Sequence, residues 1–160
     1  METSLIGKAL NFGFSEYGFE SRVSKLLYTY PYAYLINMIN LNKAKKKLFF
    51  KVLFTIKIIR LLRLLKKTGV IQTYTLLNSN KNRRYILIYL YYYKNISLTK
   101  NFRLITKPSK SYFISHKALR LLSKRTIGSI FILSTNQGLM THHDALTRRL
   151  GGAIIGFFSI

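Results

Sequence analysis

Residues 132–152 read ILSTNQGLMTHHDALTRRLGG and place Ser134, His142, His143 and Asp144 within a short reach of chain. A hydrolase of the Ser-His-Asp kind needs a carboxylate that orients a histidine, which in turn takes the serine proton. The spacing argues against it. Thr141 stands where a helix N-cap belongs, and Asp144, three residues on, occupies the place of the capping box's Glu or Gln, so the carboxylate has a local task. His142, His143 and Asp144 follow one another on one short helix, and no glycine-flanked nucleophile elbow surrounds Ser134. A binding role asks less of the residues. Ser134, Thr135, Asn136, Gln137 and Gly138 end an apolar run with two hydroxyls, two amides and a glycine. Such a loop lets backbone and side chains approach a sugar or base edge, and it suits RNA with its 2′-hydroxyls.

The supply of ligands narrows the chemistry further. Of four acidic residues, Glu2, Glu16 and Glu20 lie in the first twenty positions, which leaves Asp144 alone in the body of the chain. Paired-carboxylate catalysis and hard-ligand metal sites both need several acids together. Cysteine is absent, so thiolate zinc sites and disulfides are excluded. His116, His142 and His143 alone do not make a metal site, and no cofactor or small-molecule substrate is expected.

Against those four acids stand 27 Lys and Arg, a formal net charge of +23 on 160 residues. This excess implies a polyanionic partner, with nucleic acid ahead of an anionic membrane surface. Hydrophobic residues make up 49% of the chain, enough for one substantial core or two small ones.

The elements that must position the loop follow from periodicity and punctuation. Residues 1–30 mix glycine, serine, aromatics and the three glutamates without an apolar period, and read as an extension closed by Pro31. They resemble neither a secretory signal nor an Arg-rich transit peptide. The uncharged run 26–42 carries tyrosines, asparagines and a proline that argue against a membrane span. Tyr34–Asn40 suits a short helix, Lys45–Lys51 a basic strand, and Leu53–Lys67 a helix stopped by Gly69. At about 100° per residue, Ile58, Leu61, Leu62 and Leu65 share one face of that helix. Lys57, Arg60, Arg63, Lys66 and Lys67 occupy the other, without an acid among them. A face that is only solvated usually mixes signs, so this one points to an anionic partner.

Residues 70–76 and 84–93 read as strands around an Asn-Ser-Asn-Lys-Asn turn at 78–82. In the second, Tyr85, Leu87, Tyr89, Tyr91 and Tyr93 alternate with Ile86, Ile88, Leu90 and Tyr92. The tyrosine row could stack on bases, pack beneath a helix or meet a neighbouring protein. A basic connection over 94–110 contains one strand-like piece, 102–106, which ends at Pro108. Then come a strand at 111–115, a helix at 117–123, a strand at 129–133, a Thr141-capped helix at 142–149 stopped by Gly151-Gly152, and a last strand at 153–158. The expected fold class is α+β, with an N-terminal α-β-α-β-β unit over 31–96 and a mostly β unit with short helices over 97–160.

ILSTNQGLMT resembles the C-terminal signature of the universal small-subunit ribosomal protein eight family, in which an apolar strand runs into Ser-Thr-x-x-Gly, two aliphatic residues and Thr. The LLKKTGVI helix end (64–71), ITKP (105–108), the first helix ending in Asn40, and Gly-Gly before an apolar terminal strand match as well. The resemblance covers residues 32–160 and leaves out the first thirty. It implies a non-catalytic primary rRNA-binding protein of the central domain of small-subunit rRNA, adjoining protein five and supporting subunit assembly. Its loop contacts would fall on Ser134, Thr135, Asn136, Gln137 and Gly138, with Lys57, Arg60, Lys107 and Asn40 as further RNA-binding positions. The chain departs from the pattern at Asn37, at Phe54-Thr55, at Asn136-Gln137, where the family often carries serine and lysine, and at Ala153. A composition rich in Lys, Asn, Ile, Tyr and Phe matches an AT-rich genome and suggests an organelle-made protein, mitochondrial ahead of plastid or bacterial. The competing reading is a basic amphipathic protein docking on anionic membrane through the 53–67 helix.

Overall fold

The computed structural model describes residues 30–78, 84–94, 96–97, 99–107 and 110–159. The extension up to Thr29 and all of the 78–82 turn except Asn78 lie outside them. The chain is mixed α and β, with an N-terminal three-stranded sheet under two helices and a C-terminal five-stranded sheet carrying two shorter ones.

Helix α1 (Pro31–Ala44) extends beyond the expected Tyr34–Asn40 at both ends. Proline supplies the first-turn geometry without losing a needed N–H, so the helix begins at Pro31 itself. It ends where Lys46 takes a positive φ of 50° and Lys47 N–H donates back to Asn42 O at 3.0 Å, a helix-closing turn. That turn consumes the residues read as a basic strand from Lys45, and strand β1 is Phe49–Leu53 instead. Leu53, expected to start a helix, is the last residue of β1. Helix α2 (Ile56–Lys67) starts after Thr55, whose hydroxyl accepts from Ile58 N–H at 3.4 Å as its N-cap. Gly69, at φ +76°, releases the chain into β2 (Ile71–Asn78).

Strand β3 (Arg84–Leu90) lies between the other two, in the order β1-β3-β2, all antiparallel. The single strand expected over 84–93 breaks at Tyr91. Beyond it, β4 (Tyr92–Tyr93) folds onto β5 (Ile96–Ser97) as a separate two-stranded ribbon, with Lys94 at φ 47° in the turn. Alternation continues through both pieces, so it carried no mark of the break.

In the second half, β6 (Lys100–Leu104), β7 (Phe113–Ile114), β8 (Ser129–Thr135), β9 (Gly138–Thr141) and β10 (Gly152–Ser159) form one sheet, with β10 central between β6 and β8. Helix α3 (His116–Arg125) is capped by the Ser115 hydroxyl and α4 (His142–Thr147) by that of Thr141, which accepts from Asp144 N–H at 3.3 Å. Helix α4 stops short of the expected residue 149. Arg149, at φ 56°, closes it while Leu150 N–H returns to Ala145 O at 2.9 Å. The Gly151-Gly152 pair serves the sheet and not the helix stop. A Cβ on Gly152 would collide with the Ser134 carbonyl, because β10 passes directly against β8 at that point.

The main core crosses between the two halves. Leu35, Ile36 and Ile39 of α1 and Ile58, Leu61, Leu62 and Leu65 of α2 pack with Ile86 and Ile88 and also with Phe102, Ile132, Ile155 and Phe158. Phe102 and Phe158 meet edge to face at 5.6 Å. A smaller cluster holds Leu119, Leu133, Met140 and Ala145. Polar ties reinforce the junction. Asn40 Nδ2 donates to Phe102 O at 2.8 Å, Lys43 Nζ donates to the backbone and hydroxyl oxygens of the buried Thr99, and Lys67 pairs with Asp144 at 3.1 Å. Among the described residues no helix is long and apolar enough to cross a membrane. Ile58, Leu61, Leu62 and Leu65 of α2 are fully buried, so the apolar face read from their spacing is not available to a lipid surface.

Candidate nucleic-acid interface

The loop of interest is the tip of a hairpin. Thr135 pairs with Gly138, leaving Asn136 and Gln137 as a two-residue turn, and Gly138 takes φ +106°, which a side chain would strain. Strand β9 was hidden from sequence reading because its four residues, GLMT, are too few to display a period. The Thr135 hydroxyl accepts from Gln137 N–H at 3.2 Å and donates to Gly138 O at 3.0 Å, so it holds the turn in shape. Gln137 is steadied in turn by Arg148, whose guanidinium donates to Oε1 at 2.9 Å. Asn136 and Ser134 are exposed, and among the described residues no side-chain hydrogen bond engages the Ser134 hydroxyl.

The histidines and Asp144 have other partners. His142 is buried, and its Nδ1 accepts from Phe131 N–H at 3.1 Å, edge-on to the Phe131 ring. Burial, helped by the neighbouring His143, lowers its pKa to about 4, so the ring is a neutral acceptor locked in the fold. Burial also pushes the Asp144 carboxyl up. Hydrogen bonds from Lys67 and Thr141 and the charges of Lys67 and Arg148 outweigh that and hold it below the usual range. Neither group is directed to Ser134, and the three do not form a proton relay. Among the described residues no group of three or more His, Cys, Asp or Glu side chains could hold a metal ion.

Ser134 opens instead onto a cleft of about 590 Å³ between the two halves. One wall is α1, with Tyr32, Tyr34, Asn37 and Met38. The other is the C-terminal sheet, with Leu104, Ser134, Ala153 and Ile155, and Lys57, Lys107 and Ser111 join the lining. Burial raises the pKa values of Tyr32 and Tyr34, and the charge of Arg60 works against the shift at Tyr32. Lys107 is held by a paired bridge, its N–H and C=O each bonded to Lys110 at 3.1 Å. Of the nine expected positions, Ser134, Lys57 and Lys107 therefore converge on one concavity, Arg60 lies one helical turn beyond Lys57 on α2 outside its lining, and Thr135 to Gly138 form the hairpin tip that continues from Ser134. Asn40 stands apart. Its amide nitrogen is engaged by Phe102 O and it does not line the cleft. Sequence reasoning missed Arg148, although two arginines directly after a short helix are placed to reach back over the preceding turn. It also missed Tyr32 and Tyr34, whose role depends on the packing of α1 across the distant sheet.

Residues 31–158 match the sequence model of the family described as Ribosomal protein S8. The chain belongs to the ribosomal protein S8 family. Similar proteins include the small ribosomal subunit protein uS8 of Bartonella bacilliformis, 31% identical over 96 residues, which are 60% of this chain and 71% of that protein. The protein uS8c of Bigelowiella natans is 32% identical over 130 residues, 75% of this chain and 93% of its own length. The uS8 of Brucella abortus (strain S19) is 28% identical over 96 residues. The S8 match takes in α1 from its first residue and the whole of the cleft except Tyr30, and it leaves the first thirty residues outside.

Proposed function

We propose that this protein is a structural constituent of the small ribosomal subunit that binds the central domain of small-subunit rRNA early in assembly, and that it does so without catalysing a reaction. The observation that carries the reading is the convergence of Ser134 and Lys107 from one half with Lys57 from the other on a single cleft, beside the hairpin tip 135–138. Exposed hydroxyl and amide groups at Ser134 and Asn136 can read a 2′-hydroxyl or base edge, and Lys57, Arg60 and Lys107 can hold the flanking phosphates. With only one acid among the described residues, itself paired with Lys67, nothing in the cleft repels a polyanion.

Binding of the full chain to its own central-domain stem, compared with a scrambled duplex across a salt series, tests this. A preference for the native stem that persists at high salt supports direct reading of RNA. Equal binding to both, lost together as salt rises, leaves only a polycation. Ser134→Ala is the cleaner loop probe, expected to weaken native-stem binding by about 1–3 kcal/mol. Thr135→Ala changes the shape of the turn as well and tests the whole hairpin.

The mitochondrial assignment rests on composition, and the similarity to a uS8c protein supports the plastid alternative. We place this protein in the mitochondrial small subunit, with protein five as its neighbour. Co-sedimentation with mitochondrial small subunits, and cross-links to protein five within them, are the expected results; co-sedimentation with plastid ribosomes would reassign it.

A further inference from the structure

The three-stranded sheet has two faces, and only one lies beneath the helices. Phe50, Val52, Ile86, Ile88 and Leu90 point into the core beneath α1 and α2. The opposite side chains fall into register across all three strands. Phe49 lies opposite Tyr89 and Thr73, Lys51 opposite Leu87 and Thr75, and Leu53 opposite Tyr85 and Leu77. Phe49, Tyr85, Leu87 and Tyr89 belong to neither core cluster. Phe49 is 55% exposed and Leu77 40%, Tyr85, Leu87 and Tyr89 are half-buried, and Leu53 at the end of β1 packs against the main core. The tyrosine row is therefore not the one that packs beneath the helices.

Two features of this face point to its occupant. Its aromatic rings stand on adjacent strands, with Phe49 and Tyr89 6.1 Å apart and inclined at 48°, and Tyr85 about 13 Å further along β3 at the usual strand rise. Its charges are all positive. Lys51 projects from the middle with Nζ 4.0 Å over the Tyr85 ring, and exposed Lys45, Lys46 and Lys47 lead into β1. The one acid among the described residues, Asp144 of α4, is paired with Lys67 of α2 and does not belong to this face.

We propose that the open face of β1-β3-β2 is a second RNA-binding surface, distinct from the Ser134 cleft, on which unpaired bases of a single-stranded segment stack against Phe49, Tyr89 and Tyr85 while Lys51 and its basic neighbours take the phosphates. Rings on a pleated, solvent-facing sheet accept any base, because every base has a π-face. The spacing along β3 lets successive bases meet different rings. A protein partner would need to present acidic groups to this face, and is the alternative outcome. The inference rests on the reading of the protein as an RNA binder, but uses residues that the cleft does not.

The test is binding of the full chain to a fluorescein-labelled oligo(U) at rising salt, where stacking outlasts phosphate attraction. Replacing Tyr85 and Tyr89 together by leucine should weaken high-salt binding roughly tenfold, the size expected for losing base stacking. Replacing both by phenylalanine should restore it. Ultraviolet cross-linking of the wild-type complex should mark Phe49, Tyr85 or Tyr89. Ser134→Ala should leave oligo(U) binding unchanged while it lowers binding to the native stem, so the two sites can fail separately. Two outcomes overturn the proposal: equal high-salt affinity of the leucine variant and wild type, with the variant shown folded by circular dichroism, or cross-links confined to other residues. Cross-links from this face to a neighbouring protein in assembled subunits would likewise transfer it to a protein partner.

Discussion

His142 is neutral in the folded protein, with its pKa lowered from 6.5 to about 4 chiefly by burial. In the unfolded chain the ring titrates near 6.5, so between pH 6.5 and 4 the unfolded state takes a proton that the native state refuses. Stability contributed by this group is therefore present above pH 6.5 and falls as the pH drops, by about 3 kcal/mol across the window. His142→Asn keeps an acceptor for Phe131 N–H and cannot titrate, so its melting temperature should vary less over the same range. An identical slope in both proteins would show that the buried imidazole is not the source. Gly152 is a second single-residue constraint. An added methyl would meet the backbone of Ser134, and Gly152→Ala should cost about 1–3 kcal/mol by denaturant titration while lowering stem binding through the displaced hairpin. Arg148 belongs at this scale too, since its one side-chain hydrogen bond among the described residues is to Gln137.

Helix α2 separates stability from binding along its two faces. Leu62 is fully buried in the shared core, and Leu62→Ala should cost about 2–5 kcal/mol. Lys57 and Arg60 are exposed, so replacing both with glutamine should change stability by less than about 0.5 kcal/mol. The same pair should reduce the salt dependence of RNA binding by up to two released counterions, measured as the slope of log affinity against log salt. A loss of binding with an unchanged slope would show that these cations do not meet phosphate. The heptad-like spacing of Ile58, Leu61, Leu62 and Leu65 made the buried face legible from sequence, whereas the boundaries of α2 were not. Leu53 and Phe54 continue the apolar run without interruption, and only Thr55, accepting from Ile58 N–H, marks the true start. Strand β9 and the β4–β5 ribbon escaped for a related reason. Two to four residues contain no period, and their existence depends on a partner strand within hydrogen-bonding reach.

For the molecule as a whole, we propose that the units 31–96 and 97–160 are built separately in topology but melt together, because Phe102, Ile132, Ile155 and Phe158 lie in the same core as α1 and α2. A single cooperative thermal transition is expected, and two resolved transitions would show that each unit has a sufficient core of its own. The Lys67–Asp144 pair contributes little to this union, since Lys67 is 68% exposed and such pairs are worth up to about 1 kcal/mol. Net charge acts at the same scale. At +23 the free protein repels itself, so added salt should raise its melting temperature while it weakens its RNA complex, two responses of opposite sign from one cause. Local chemistry determined much by itself: the charge that calls for a polyanion, the scarcity of acids and absence of thiols that rule out paired-carboxylate and thiolate sites in the body of the chain, the apolar periods that make α2 and β3, and the Ser-Thr-x-x-Gly signature that marks the family. Those features are set by residue type and near spacing. Only the tertiary structure decided that Ser134, Lys107 and Lys57 share a cleft, that Asn40 ties the halves together, and that the tyrosine row of β3 faces outward. Each depends on which distant segments come into contact, and a one-residue change of register would have buried the tyrosines and exposed the isoleucines.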